Sequence, residues 1–176
     1  MLINRKAKKN IKGHLAQFVY GSMDGTVTTF AVVAGSQGGG LGPETALILG
    51  FANLFADGIS MGVSAYLGSE TAEQVVKVKH AQKLINSIVT FVSFLTVGAI
   101  PLLSYVIYFA NGSNQDDLFR ISVVLSLLTF VFIGAARARI VGGNIIRSSL
   151  ETLALGAVAA SAAYFVGNII ERIVTS

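Results

Sequence analysis

The sequence predicts an all-α integral membrane protein of five transmembrane helices, and three observations carry that prediction. Of its 176 residues, 53% are hydrophobic and only 12% are charged, with a mean hydropathy of +0.68; a soluble domain carries about a quarter charged residues. The chain divides into five apolar runs, each near the ~20 residues that a bilayer-spanning helix needs. Lysine and arginine then fall on alternate connections: eleven of the thirteen lie in the N-terminal arm, between runs two and three, or between runs four and five. Such an asymmetry places those segments on the cytosolic side, with the N-terminus inside and the C-terminus outside.

Residues 1–17 form a basic cytosolic arm with Arg5, Lys6, Lys8, Lys9 and Lys12. The apolar segment after it contains Asp24 and lacks a small-residue cleavage site, so the arm does not read as a removable signal. The membrane domain is residues 18–176. Run one is 18–37, stopped by Gly38-Gly39-Gly40. Run two is 45–69, and Pro43-Glu44 ahead of it suits a first helical turn, where proline lacks no needed N–H and an acid meets the positive end of the dipole. Run three is 84–109, and Pro101 should kink it. Runs four and five are 119–136 and 150–170. Ala52, Ala56, Ser60 and Ser64 in run two, and Ala159, Ala163 and Gly167 in run five, repeat every four residues. Small residues at that spacing let membrane helices approach closely, either within one chain or across a homodimer.

Composition also excludes classes. There is no cysteine, hence no disulfide, thiolate metal site or iron–sulfur cluster. His14 and His80 lie in separate polar segments and make no paired-histidine motif. The net charge of +4 is scattered between apolar runs, not gathered with aromatics, so no nucleic-acid partner is expected. Nothing in the chain resembles a nucleotide loop or a nucleophile–base pair, so no enzyme and no cofactor is expected.

The chemistry concentrates in the first two runs. Asp24 lies about 9 Å from the inner end of run one, at 1.5 Å per residue. In run two, Asn53, Asp57 and Met61 are spaced i, i+4, i+8 along one helix face, with Met61 about 12 Å from the inner end. Consecutive antiparallel helices thus bring Asp24 and Met61 to similar depth, with Asp57 one turn further out. An ionisable group at membrane depth costs about 2.5–3.5 kcal/mol on insertion scales, so such residues are candidate functional sites. Magnesium and calcium take oxygen ligands, whereas a carboxylate–thioether set suits Fe²⁺ or Mn²⁺. A divalent ion would neutralise both aspartates and could exchange with their protons. Glu70, Glu73 and His80, between runs two and three, could gather cations at the inner mouth, although a solvated helix extension accounts for them as well.

The stretches Asp24-Gly-Thr-Val-Thr-Thr-Phe-Ala-Val-Val-Ala-Gly35, Ala56-Asp57-Gly-Ile-Ser-Met61-Gly62 and Gly156-Ala-Val-Ala-Ala160 with Tyr164-Phe-Val-Gly167 resemble the vacuolar iron transporter family. The resemblance covers nearly all of the membrane region. It implies a five-helix homodimer with the ion path at the dimer interface, moving Fe²⁺ or Mn²⁺ out of the cytosol against protons. It implies that Asp24 and Met61 line the path. An acidic path residue of some members falls on Asn53, a departure that Asp57 could restore one turn away. Plant and parasite members carry a Glu- and Met-rich cytosolic bundle between helices two and three, for which residues 70–83 leave no room. The short form resembles nodulin-21-like or prokaryotic members, which places the protein in a prokaryotic cell membrane, or in the vacuolar membrane of a eukaryote. Two other classes fit the residues without the resemblance: a non-transporting scaffold whose aspartates pair with a partner helix, and a passive cation channel.

Overall fold

The computed structural model describes residues 2–76, 80–112 and 117–176, with side chains described for 13–69, 81–112 and 117–176. Glu70, Glu73 and His80 lie outside the described side chains. The described residues form helices alone: α1 Leu2–Gly38, α2 Pro43–Val76, α3 His80–Gly98, α4 Leu103–Asn111, α5 Leu118–Val141 and α6 Ile145–Thr175, with a short 3-10 turn, Ile100–Leu102, between α3 and α4.

Each boundary has a local cause. α1 ends where Gly40 takes a left-handed φ of 63°. There Leu41 N–H donates to the Ser36 carbonyl at 2.9 Å and Gly40 N–H to that of Gln37 at 3.2 Å, the double bond of a glycine-capped helix end. Pro101 breaks the third run as expected. It cannot donate to the helical ladder, so α3 stops at Gly98, the chain makes one tight turn, and α4 resumes. The Ser122 hydroxyl of α5 donates to the Pro101 carbonyl at 2.6 Å, which ties the break to the bundle. α6 begins at Asn144, whose side chain accepts from Ile146 N–H and Arg147 N–H, a standard N-cap.

Among the described residues, four stretches are long and apolar enough to cross a membrane: Pro43–Ser69, Ala81–Asn111, Leu118–Val141 and Ile145–Thr175. α1 is long enough but more polar, and the bundle supplies the reason. α1 runs through the middle and packs against α2, α3, α5 and α6. Its Ser22, Thr26, Thr29, Val33 and Ala34 are buried against protein. The outer faces of α2, α5 and α6 instead expose large apolar side chains such as Ile48, Phe55, Ile59, Phe132, Val158 and Phe165. Apolarity is needed where a helix meets lipid, and a central helix meets little of it.

Small residues set how closely α1 is approached. A Cβ on Gly25 would lie 2.5 Å from the Phe94 carbonyl oxygen of α3, and one on Gly98 would lie 2.9 Å from the Gly25 Cα. At the other end, Gly35 and Gly38 lie against the Ala163 and Tyr164 backbone of α6, and Gly167 against Gly35. The small ridge of α6 is therefore used within the chain. That of α2 is not: Ala52, Ala56, Ser60 and Ser64 are all exposed. Phe30 of α1 and Phe130 of α5 meet edge-on, with ring centroids 6.2 Å apart, in a core completed by Ala34 and Ala160. Several buried hydroxyls return to their own helix, as Thr26 does to the Ser22 carbonyl and Ser126 to that of Ser122, while the buried Ser22, Thr29 and Ser104 hydroxyls have no hydrogen-bond partner among the described residues.

Candidate functional site

Asp24 lies one turn beyond Tyr20 on α1, on the side of the helix that the bundle leaves least covered. Gly21 and Ser22, Gly25 and Thr26 point into the core, while Tyr20, Met23, Asp24 and Val27 are partly accessible. These four, with Ala16, line a cleft of about 680 Å³ closed on its other walls by Arg137, Ile140 and Val141 of α5 and Leu155, Val158 and Ala159 of α6. Most of that lining is apolar, and the cleft's charged groups are Asp24 and Arg137.

No hydrogen bond or ion pair reaches the Asp24 carboxylate from any described residue; its backbone carbonyl alone is used, by the Thr28 hydroxyl at 2.8 Å. The carboxylate does feel Asp57 of α2 electrostatically. Asp24 and Asp57, expected to act together, lie on the neighbouring packed helices α1 and α2. Asp57, Asn53 and Met61 are each half-buried on α2, and none of them lines the Asp24 cleft. α2 turns Gly58 and Gly62 toward Phe91 of α3, and the Ser87 hydroxyl of α3 donates to the Gly62 carbonyl at 2.6 Å. This seating fixes the rotation of α2. Among the described residues, no three His, Cys, Asp or Glu side chains gather as a metal cluster. One chain offers two carboxylates near each other, plus thioethers.

Two side chains at the cleft went unread in the sequence. Met23 is adjacent to Asp24 and presents a second thioether on the same wall. Tyr20 precedes Asp24 by four residues and shares its face, so helical spacing alone would have found it. Arg137 counted only as a topology charge, and nothing local in its sequence links it to Asp24.

Toward the N-terminal end of α1, a polar seam joins it to α3. Thr90 donates to the Gln17 side chain at 2.9 Å, and Gln82 lies 3.2 Å from the His14 ring nitrogen. This seam fixes α1 against α3 and leaves the Asp24 face toward the cleft.

Long apolar helices around a polar central one, with carboxylates at membrane depth, define a multi-pass integral membrane protein. The chain belongs to the VIT family, whose profile matches residues 15–87 and 77–168. Among curated proteins it is similar to a vacuolar iron transporter of Plasmodium berghei (24% identical, covering 91% of this chain and 83% of that protein). It is similar also to one of Toxoplasma gondii (24%, covering 89% and 74%) and to vacuolar iron transporter 1 of Arabidopsis thaliana (22%, covering 88% and 85%). By name these relatives are transporters, not enzymes. The P. berghei alignment runs over 227 positions, more than the 176 residues of this chain, so that relative carries residues with no counterpart here.

Proposed function

We propose that the protein exports a divalent transition metal, Fe²⁺ or Mn²⁺, from the cytosol by exchange for protons. The single observation that carries this reading is the Asp24–Asp57 pair. Two half-buried carboxylates on packed neighbouring helices, with Asp57 acting electrostatically on Asp24, are neutralised together by one divalent ion or by two protons. That equivalence is the chemical basis of an antiport. The names of the relatives supply the metal class.

Asp24 and Asp57 bind the ion, Met61 contributes a soft donor, and Asn53 lines the outer part of the path. The thioether favours a later transition ion over Mg²⁺ or Ca²⁺. Two carboxylates and a thioether do not complete the shell of such an ion. A second copy of the chain would double the set, and the exposed ridge of Ala52, Ala56, Ser60 and Ser64 gives a face on which helices can approach closely. The protein therefore works as a homodimer with the path between copies. The Lys and Arg asymmetry sets the N-terminus in the cytosol, with residues 1–17 as a basic arm there and 18–176 as the membrane domain with α1 as a fifth span. Its place is the cell membrane of a prokaryote, or the vacuolar membrane if the source is eukaryotic.

The test is uptake into proteoliposomes holding a metal-sensing dye and a pH-sensing dye. Metal entering as protons leave, with both signals lost in Asp24→Asn, is the expected result. Metal flux that moves no protons would leave a channel. A purified protein that binds neither ion would leave a scaffold.

A further inference from the structure

Two hollows meet at Phe119, and neither shares a residue with the Asp24 cleft. The first, of about 490 Å³, opens where α1 turns into α2 and α5 begins. Gln37, Gly42, Tyr105, Phe119 and Arg120 are among its lining, and its surface is mostly polar. The second, of about 340 Å³, is an apolar groove between α5 and α6 that also touches Phe30 and Ala34 of α1. Its α5 wall runs from Phe119 to Leu127 and its α6 wall from Phe165 back to Ala157, about 12 Å along each helix. That is most of the ~15 Å of hydrocarbon in one leaflet of a bilayer.

The polar hollow has the donors an oxyanion needs. Tyr105 is only 3% exposed, lines the hollow, and has no hydrogen-bond partner for its hydroxyl among the described residues. A buried hydroxyl left unpaired is costly, which favours a ligand that bonds it. Arg120 lines the same hollow. Its Nη1 lies 3.7 Å from Asp117, and both side chains are well exposed. Such a pair is worth little in water, so the guanidinium keeps donors for a phosphate, whose geometry its fork matches. The first turn of α5 is part of the wall, and Asp117 at its N-cap makes no side-chain bond to it, so the positive end of a 24-residue helix adds to the attraction. Carboxylates stand at the rim: Asp117 beside Arg120, Glu44 against Gly42, and Glu171 near Gly40. They oppose a ligand of net negative charge and suit an ammonium group.

We propose that the joined hollows bind one zwitterionic phospholipid, with its phosphate at Arg120 and the Tyr105 hydroxyl, its ammonium toward the rim carboxylates, and one acyl chain in the α5–α6 groove. The two hollows differ in chemistry as the two ends of such a lipid do, and Phe119 stands where they join. A lipid tail gains little by leaving other tails for an apolar groove, so the headgroup supplies selectivity and the groove supplies orientation. A free phosphate would fill only the first hollow, and a lipid without phosphate only the second. On the topology proposed above, the site opens to the outer leaflet. Nothing in it depends on what the protein transports.

The test is a titration of the delipidated protein in detergent, read by native mass spectrometry, with phosphatidylethanolamine, phosphatidylglycerol and diacylglycerol of the same chains. Phosphatidylethanolamine should bind one per chain and more tightly than the other two. Arg120→Gln should weaken it about two- to fivefold, as befits an exposed charge, and Tyr105→Phe, which keeps the ring in the core, about two- to tenfold. Ala157→Phe, which fills the groove from an exposed position, should weaken phosphatidylethanolamine and diacylglycerol alike. Melting of helical circular dichroism without lipid checks that each variant folds, and inorganic phosphate alone should not raise the wild-type melting point. Wild-type binding of phosphatidylethanolamine by both Arg120→Gln and Tyr105→Phe overturns the headgroup site, and wild-type binding by Ala157→Phe overturns the groove. Diacylglycerol binding as tightly as phosphatidylethanolamine, or inorganic phosphate stabilising the protein as much, overturns the phospholipid assignment. Phosphatidylglycerol binding as tightly overturns the zwitterionic one.

Discussion

Gly25→Ala should destabilise the protein although alanine is the better helix former. The added Cβ would lie 2.5 Å from the Phe94 carbonyl oxygen and 3.1 Å from the Phe94 Cα, where ordinary contact begins at 3.4 Å. Both atoms are backbone, so no rotamer can relieve the clash. α1 and α3 must move apart by about 0.9 Å, which also loosens Gly98 from Gly25. Overpacking of this kind costs about 1–3 kcal/mol, against a helix-propensity gain of about 0.5–1 kcal/mol. The net loss is about 1–2 kcal/mol, or about 2–8 °C in melting temperature for a chain of this length. The control lies in the same helix. A Cβ on Gly13 would meet nothing within 4 Å, so Gly13→Ala keeps only the propensity gain and should raise the melting point by about 1–4 °C. Thermal loss of helical circular dichroism, in one detergent for all proteins, reads both. Two alanines shifting stability in the same direction would refute the argument that α1–α3 contact, and not helix propensity, governs Gly25.

Five further outcomes follow from the same geometry. Asp24→Asn should cut proton-driven metal uptake at least tenfold with little change in melting temperature, and Met61→Leu should raise the half-saturating metal concentration while keeping the fold; uptake curves with matched protein amounts check both. Phe130→Ala empties a fully buried site between α1 and α6 and should cost about 3–5 kcal/mol, seen as a melting point lower by roughly 6–20 °C. Asn144→Ala removes the acceptor for two α6 N–H groups and should cost about 1 kcal/mol, a drop of about 2–4 °C in the same melting assay. Ala56→Trp on the exposed ridge of α2 should leave the single chain folded and abolish its pairing, measured by light scattering in detergent.

Much of the fold was legible because its signals are local. The glycine stop after run one, the Pro101 break and the apolar runs each depend on a few adjacent residues, and the helices fall where those residues put them. The use of the two small-residue ridges was not legible. Ala159-Ala163-Gly167 and Ala52-Ala56-Ser60-Ser64 carry the same period, and only the tertiary arrangement shows that the first meets α1 while the second stays bare. The candidate site divides in the same way. Asp24 and Asp57 were readable as charges in apolar runs, and rise per residue placed Asp24 level with Met61 and Asp57 one turn further out, an arrangement that keeps only the sequence argument. The Asp24 cleft itself depends on α5 and α6, more than a hundred residues away in sequence, so Arg137 could not be joined to it from spacing. Glu70, Glu73 and His80 keep only the sequence argument.

The centrality of α1 has a consequence for how the protein is made. Synthesis proceeds from the N-terminus, so the helix with the weakest claim on lipid emerges first. It carries Asp24 at a depth where a lone carboxylate disfavours insertion, and its Gly21 and Gly25 meet their packing partners only in a helix not yet made. α3 offers them, through Thr90, Ser93 and Phe94, and α2 in turn packs Leu54 against Gly98 of α3. The first helix then becomes secure in the bilayer when the third arrives, so integration of this chain is a cooperative event among three helices and not a series of independent insertions.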